Sequence, residues 1–187
     1  MKKININSQQ THFIGCWNLE NNKLCNEITN FFEHNKNLQT PGASGMGLNT
    51  QIKKTTDIRI IPSDLEKPKF EIFKQYINEL HKCYLDYQEQ WPFLKDKINT
   101  VDIPTFNIQK YNPGDHFSHI HTERSSLNSL HRVFAWMTYL NDVEDGGNTY
   151  FTHYDLKIKP EIGKTLIWPA EWTHAHCGEV LNSGVKY

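Results

Sequence analysis

The half of the sequence after Pro92 constrains the fold most, because short runs of β-branched and aromatic residues alternate there with turn signals. The runs are VDIPTFNIQKY, RVFAWMTYLN, NTYF, LKIKP, GKTLIWP and EWTHAH, and the turns are NPGD, EDGGN and KPEIG. Runs of this length, bounded by Gly, Pro, Asn and Asp, are typical of β-strands. We therefore predict roughly six to eight strands in this half of the chain.

The first half carries helical patterns instead. Apolar residues in LCNEITNFFEHN recur at the spacing of an amphipathic helix. They are Leu24, Ile28, Phe31 and Phe32. A longer helix is predicted from Ser63, because Glu66 three residues later matches a capping box and Pro68 suits a first turn. Its apolar face consists of Phe70, Phe73, Ile77, Leu80 and Tyr84. A stripe of this length favours packing on a sheet of its own domain over a seam for a partner helix.

Residues 36–62, between the two helices, are rich in Gly, Thr, Asn and Lys, which predicts a long mobile loop. The glycines of TPGASGMGLNT invite comparison with a phosphate-binding loop, but no Gly-Lys-Ser/Thr follows them. A loop that contacts substrate is the alternative, and an ordinary connection is favoured.

At 187 residues the chain is long enough for one domain with a sizeable core. We predict a single domain over residues 1–187, in which residues 1–95 supply mainly helical support and loop and residues 96–187 the strands. Helices followed by many short strands predict a mostly β fold of the α+β class, with the helical layer packed on one sheet of a sandwich or jelly roll.

Charge and composition exclude several classes of function. The 20 basic and 21 acidic side chains give a net charge of -1, so no nucleic-acid partner is expected. The sequence lacks the run of about 20 apolar residues that a spanning helix needs, and no membrane partner is expected. The four cysteines form no CxxC pair, which argues against a zinc ribbon or disulfide framework and favours a cytoplasmic protein.

The stretch HFSHIHTER is the candidate for chemistry, since seven of the ten histidines lie between His116 and His176. On a strand, residues i and i+2 share a face, so His121 and Glu123 can present an imidazole and a carboxylate to one ion, with His119 on that face as well. A second histidine from a distant strand would complete the two-histidine, one-carboxylate set of non-haem iron(II) oxygenases. The H-x-E pattern alone is weak, because such polar strings are more often solvated.

Three longer blocks make the signal specific. In order, YNPGDHFSHIHTE, RVFAWMTYLNDVEDGGNTYF and IKPEIGKTLIWPAEWTHAHCGEVLNSGVKY resemble the catalytic half of the iron(II)/2-oxoglutarate dioxygenases of the prolyl 4-hydroxylase group, over residues 101–187. The resemblance implies a double-stranded β-helix that hydroxylates an unactivated C–H, in a prolyl or other residue of a peptide, with release of succinate and CO2. It implies Fe(II), 2-oxoglutarate and O2 as cofactors, with ascorbate as a further candidate.

The resemblance also implies the metal ligands. His121 and Glu123 correspond to the first two, because the family's tyrosine lies about ten residues before the first ligand and Tyr111 fits that distance to His121 better than to His119. For the distal ligand, His174 and His176 both remain open. The count favours His176, because Lys186 lies ten residues beyond it, where the family has a basic residue for the far carboxylate of 2-oxoglutarate. His174 would then be a supporting donor or a substrate contact.

Further residues follow from the same resemblance. Tyr111 and Tyr139 are expected to donate hydroxyls near the cosubstrate, with Thr149 beside them, although each could be an ordinary packed side chain. Arg132 is expected at the substrate opening or on the solvated surface. One departure is that the family usually has aspartate where this sequence has Glu123. Glutamate is still a competent oxygen ligand, and halogenase chemistry is disfavoured because it requires a small residue there.

Two rival functions stay open at this point. The same fold could be a cupin-like metal protein that does not use 2-oxoglutarate, or a noncatalytic binding module. The substrate could be a peptide, a protein or a small molecule, because substrate choice lies in loops such as 36–62 and 113–131, whose composition selects none of them.

Overall fold

The computed structural model describes four ranges of the chain, namely 1–6, 11–45, 47–98 and 100–187. Residues 7–10, Met46 of the glycine-rich stretch, and Asn99 lie outside the described residues. The α-helices are α1 (Asn22–His34), α2 (Glu71–Gln90) and α3 (Pro92–Lys97). The strands are β1 (Lys2–Lys3), β2 (Gly15–Asn18), β3 (Gln39–Pro41), β4 (Thr56–Ile60), β5 (Phe106–Lys110), β6 (Phe117–His121), β7 (Phe134–Thr138), β8 (Thr149–Phe151), β9 (Leu156–Ile158), β10 (Lys164–Pro169) and β11 (His176–Gly178).

The strands pair antiparallel in three sheets within the described ranges. The first sheet has the order β1-β2-β10-β7, the second β6-β11-β8-β9 and the third β3-β4-β5. Seven of the strands, β5 to β11, follow Pro92, which confirms the strand count predicted there. The first sheet also contains β2 from the helical half, with Cys16 opposite Leu166 of β10.

The last residues of the sequence connect the third sheet to the first. Lys186 forms an antiparallel bridge with Tyr111, just beyond β5. The N–H of Leu140, just beyond β7, donates to the carbonyl of Tyr187 at 3.0 Å. The third sheet therefore continues the first at this end of the molecule.

Two apolar cores cover the two faces of the first sheet. The inner core lies between the first and second sheets and consists of Ile14, Cys16, Tyr139, Phe151, Ile158, Leu166 and Trp168. The outer core joins the sheet to the helices and includes Trp17, Leu24, Ile28, Phe32, Phe73, Leu80, Tyr87 and Ile167. Neighbours on β10 alternate between the cores because strand side chains alternate in direction. This arrangement confirms the predicted mostly β jelly roll with a helical layer on one sheet.

The predicted start of the long helix is wrong. The segments Pro62–Glu66 and Pro68–Phe70 are short 3-10 turns, and α2 begins only at Glu71. Lys67 has an extended backbone, with φ -93° and ψ 135°. A residue before proline is disfavoured in the α region, so Pro68 interrupts the helix where the sequence pattern placed its first turn.

The predicted loop over 36–62 is also wrong in part, since β3 and β4 lie within it. In β4 the side chains of Ile58 and Ile60 are fully buried, and the strand pairs with β5. Pairing with a distant strand, which local composition does not report, makes this segment part of a sheet. No helix of the described ranges is long and apolar enough to cross a membrane.

Leu166 tests the inner core, because its side chain is fully buried between the two sheets. We expect Leu166→Ala to lower the free energy of unfolding by about 2–5 kcal/mol through lost burial and a residual cavity. Leu127→Ala, at a side chain that is 86% exposed, should change it by less than about 0.5 kcal/mol. Urea unfolding of both variants measures the difference, and equal effects would contradict the assignment of the core.

Candidate active site

Three candidate ligands from distant parts of the sequence lie together at one end of the second sheet. His121 ends β6 and stands directly opposite His176, which begins β11. Glu123 follows two residues after the end of β6, and its Oε1 lies 3.8 Å from Nε2 of His121 and 3.9 Å from Nε2 of His176. The possible ligand atoms of all three lie within 4.8 Å of one another.

Both histidines are oriented by the carbonyl oxygen two residues earlier. Nδ1 of His121 lies 2.8 Å from the oxygen of His119, and Nδ1 of His176 lies 2.9 Å from the oxygen of His174. When Nδ1–H donates to a carbonyl, Nε2 keeps its lone pair free for a metal. The ring orientation and the tautomer therefore suit metal binding at Nε2 in both residues.

Apolar walls keep these imidazoles neutral. His176 packs between Phe151 and Trp168, with ring centroids 5.4 and 5.2 Å away, and His121 stacks on Phe117 at 3.9 Å. Burial lowers the pKa of His176 to about 4 and holds the pKa of His121 below its ordinary value. Neutral imidazole is the form that binds metals, so at neutral pH the two rings need not lose a proton first.

Arg132 holds the carboxylate of the cluster. Its Nη1 donates to Oε2 of Glu123 at 2.8 Å and, at 3.3 Å, to the carbonyl oxygen of the same residue. Oε1 is left to face the two histidines. The glutamate is one methylene longer than the aspartate usual in the resembling family, and this arginine restricts the rotamers that the extra length allows.

Lys186 is a buried cation in the same cavity, with a residue exposure of 5%. Its Nζ donates to the carbonyl of Gly147 at 2.6 Å and lies 4.8 and 5.4 Å from the ring centroids of Tyr111 and Tyr139. Among the described side chains no charged neighbour contributes to its pKa, which burial alone shifts. Burial lowers its pKa to about 8. A buried charge without a counter-ion is costly, so this position favours an anionic ligand.

The predicted hydroxyl residues line the cavity beside Lys186. The hydroxyl of Tyr139 donates to Oγ1 of Thr149 at 2.7 Å, and that of Tyr111 donates to Oε1 of Gln109 at 3.0 Å. Burial raises the pKa of both tyrosines above its ordinary value. They therefore stay neutral hydroxyl groups at any physiological pH.

One cavity of about 980 Å³ connects these features. Its walls include His121, Glu123 and His176 at one place and Lys186 at another, and it continues past Trp136 along the helical layer. The same cavity therefore borders both the candidate metal ligands and the buried lysine. Two histidines and one carboxylate are a donor set that suits iron(II).

His119 and His174 lie outside the three-residue group. The side chain of His119 is exposed, and Nε2 of His174 lies 2.8 Å from the carbonyl oxygen of His12. Each contributes its own carbonyl to orient the histidine two residues later. Between the two distal candidates, the structure thus brings His176 into the group; its role as an iron ligand stays a prediction.

Sequence analysis missed two contributors to the site. Phe117 stacks on His121, and its position four residues earlier on the same strand could have indicated a shared face. Gly147 supplies the carbonyl that accepts from Lys186. Its φ of +66° favours glycine, and an added Cβ would lie 3.2 Å from Cδ of Lys186. The GGN sequence around it could have indicated a special backbone but not this contact.

Comparison with protein-family models gives a match in the second half of the chain. Residues 106–187 match the family model described as the 2OG-Fe(II) oxygenase superfamily. The matched range contains every candidate ligand and Lys186. No curated protein matches the chain.

Several solved structures have a similar fold. A prolyl-4-hydroxylase from Pseudomonas putida has a TM-score of 0.70 at 16% identity, covering 94% of this chain and 89% of its own. A prolyl hydroxylase from Trichoplax adhaerens, in complex with a peptide fragment of the hypoxia inducible factor oxygen degradation domain, has a TM-score of 0.71 at 13% identity, covering 95% and 81%. The viral collagen prolyl hydroxylase of Paramecium Bursaria Chlorella virus-1, in its 2OG complex, has a TM-score of 0.59 at 19% identity, covering 93% and 91%. At these identities the likeness shows the shared fold.

Arg132 provides a test of the cluster. We expect Arg132→Met to weaken Mn²⁺ binding by about tenfold, the usual cost of losing a group that orients a metal ligand, because Glu123 is then free to rotate. Anaerobic calorimetric titration measures the affinity. Arg124→Met is the matched control, since Arg124 pairs with Glu171 outside the cluster. Equal losses in the two variants would show that Arg132 does not orient Glu123.

Proposed function

We propose that this chain, whose residues 106–187 match the model of the 2OG-Fe(II) oxygenase superfamily, is a 2-oxoglutarate-dependent oxygenase that hydroxylates a residue of a peptide at the site just described. His121, Glu123 and His176 would hold the iron. Iron(II), when bound, supplies the chemistry in which 2-oxoglutarate and O2 become succinate and CO2 while one substrate C–H becomes C–OH. The protein contributes by binding and orienting the reactants.

The buried Lys186 is the observation that carries this proposal. A dicarboxylate in the cavity can place one end at the candidate metal ligands and pair its other carboxylate with the ammonium group. That pairing compensates the burial of the lysine, which lacks an acidic partner among the described residues. The rings of Tyr111 and Tyr139 lie beside the same ammonium group and fix where it can point.

The surrounding side chains also control water and protons. Phe151 and Trp168 cover one side of His176, which keeps water from that side of the metal ligands. The hydroxyl of Thr149 accepts from Tyr139 and is itself directed at the sulfur of Met137 at 3.4 Å. This buried pair lies on the cavity wall and adds no charge that would compete with Lys186.

Two observations support a peptide as the substrate. The cavity of about 980 Å³ lies at the upper end of the range typical of small-molecule sites, so room remains beside a five-carbon dicarboxylate for a substrate side chain. The Trichoplax prolyl hydroxylase, which has the same fold, is in complex with a peptide fragment. Loop residues His131 and Arg132 line the cavity and would meet an incoming chain first.

The rival functions lack a comparable observation. A cupin-like metal protein without a 2-oxo acid has no use for a buried lysine aimed into the metal cavity. A noncatalytic module has no need for two neutral, oriented histidines next to a carboxylate. The arrangement therefore favours the oxygenase over both.

Anaerobic titration with iron(II) and then 2-oxoglutarate tests the proposal. We expect a weak visible metal-to-ligand band and, on admission of air, succinate. His121→Ala should abolish both, and Lys186→Ala should raise the Kd of 2-oxoglutarate at least about 30-fold, because one partner of a buried charge pair is lost. His119→Ala, at an exposed neighbouring histidine, should leave both unchanged. Iron binding without a band would instead favour the cupin-like function, and absence of iron binding would exclude the enzyme site.

The affinity for 2-oxoglutarate should depend on pH through Lys186. Burial lowers its pKa to about 8, so the free site carries the cation below that pH and loses it above. We expect a nearly constant Kd from about pH 6 to 7 and a rise approaching tenfold per unit well above pH 8. In Lys186→Arg the guanidinium stays charged throughout, so the Kd should not follow this rise. A parallel rise in both proteins would assign the pH dependence to another group.

A further inference from the structure

A buried polar network lies behind the site, in the segment that sequence composition describes as loop. Asp57 on β4 accepts from Nζ of Lys53 at 2.7 Å and from Oγ1 of Thr55 at 2.7 Å. The side chains of Lys53 and Asp57 are only 3% and 7% exposed. An ion pair this deeply buried has few alternative geometries, because moving either partner leaves an uncompensated charge.

One arm of the network reaches the metal side of the cavity. Nζ of Lys53 lies 5.6 Å from the centroid of the Phe117 ring. That ring stacks on His121 with 3.9 Å between centroids and 15° between planes. The cation and the imidazole therefore contact the same phenyl ring, and a displacement of Lys53 changes the support of a candidate metal ligand.

The other arm reaches the cosubstrate side. Nε2 of Gln109 donates to Oδ2 of Asp57 at 3.3 Å, and Oε1 of Gln109 accepts from the hydroxyl of Tyr111 at 3.0 Å. The Tyr111 ring in turn lies 4.8 Å from Nζ of Lys186. Oδ2 of Asp57 thus accepts from both Lys53 and Gln109, the first residues of the two arms.

The backbone holds the network in register with the site. Asp57 stands opposite Gln109 in the pairing of β4 with β5. Lys54 forms an antiparallel bridge with His116, the residue before β6. Gly42 packs so closely that an added Cβ would lie 1.8 Å from Oγ1 of Thr55. Backbone pairing on two sides leaves the Asp57 carboxylate little freedom to shift.

We infer that Asp57 is a positioning residue that orients both ends of the site, His121 through Lys53 and Phe117, and Tyr111 with Lys186 through Gln109. The inference rests on the proposed function, because it assigns these ends to metal and 2-oxoglutarate. It gives residues outside the 106–187 family match a specific part in the reaction. Neither Lys53 nor Asp57 lines the cavity.

Three variants separate the two arms from a general loss of stability. Lys53→Met removes the metal-side arm, Gln109→Leu removes the cosubstrate-side arm, and Thr55→Ala removes a hydrogen bond to the same carboxylate without touching either arm. For each full-length protein, three quantities are measured: Mn²⁺ affinity of the metal-free protein by calorimetry, 2-oxoglutarate affinity of the Mn²⁺-loaded protein, and the thermal unfolding midpoint.

We expect Lys53→Met to weaken Mn²⁺ binding about tenfold, as for other groups that orient a ligand. Gln109→Leu should weaken 2-oxoglutarate binding by a similar factor and leave Mn²⁺ affinity within about twofold of wild type. Thr55→Ala should lower the unfolding midpoint and leave both affinities within about twofold. If Lys53→Met does not fold, Phe117→Leu removes the ring of that arm while keeping the ion pair, and the same loss of Mn²⁺ affinity is expected.

The inference is overturned if the arm variants keep both affinities, or if their losses merely follow the unfolding midpoint as Thr55→Ala does. A wild-type protein that binds neither Mn²⁺ nor 2-oxoglutarate would overturn the proposed function itself. Wild-type binding with unaffected arm variants would overturn the role of Asp57 alone.

Discussion

The pairing of β6 with β11 is the constraint on which the site depends. It sets His121 opposite His176, although the two histidines are far apart in the sequence. Because side chains of directly opposed residues lie close together on one face, this register alone fixes the distance between two of the three candidate ligands. A slip of one residue on either strand would turn a histidine to the other face and dismantle the cluster.

Burial then gives the clustered groups their chemical state. The apolar side chains that pack the jelly roll also remove water from His176 and Lys186. The consequence differs between the two residues. For the histidine the neutral form is favoured, which suits coordination. For the lysine, burial disfavours the charged ammonium form unless an anion pairs with it. The carbonyl of Gly147 and two aromatic rings stabilise the ammonium group only in part. The cavity therefore combines a place for a cation with a place for an anion, as a chelating dicarboxylate on a metal requires.

The sequence predicts those features that depend on local spacing. The strand runs after Pro92 and the amphipathic stripe around Phe32 each need only neighbouring residues, and both agree with the structure. His121 and Glu123 also lie together, although β6 ends at His121 and His119, expected on the same face, lies outside the group. The features that were predicted wrongly depend on residues that are distant in the sequence or on the backbone of a single residue. The strand β4 forms because Ile58 and Ile60 meet β5 and the outer core, and the start of α2 is set by the backbone of Lys67 before a proline.

The side-chain contacts within the site were predicted only in part. The spacing of Lys186 from His176 suggested a role, but its burial against Tyr111 and Tyr139 depends on three separate elements meeting. Arg132 was expected at the substrate opening or on the solvated surface, and only the fold shows that it holds Glu123. The Asp57 network had no sequence signal, because Lys53, Thr55 and Asp57 lie in a polar stretch whose composition is that of a loop and their partners lie on or next to distant strands.

The position of β2 has a consequence for how the chain folds. This early strand lies between β1 and β10, with Trp17 opposite Thr165, so the first sheet pairs residues from nearly opposite ends of the sequence. Closing such a large loop costs entropy before the contacts form, and topologies rich in distant pairings fold slowly. During synthesis the apolar face of β2 stays unpaired until β10 has been made, near the end of the chain. The chain is therefore most exposed to aggregation in the interval before β10 emerges.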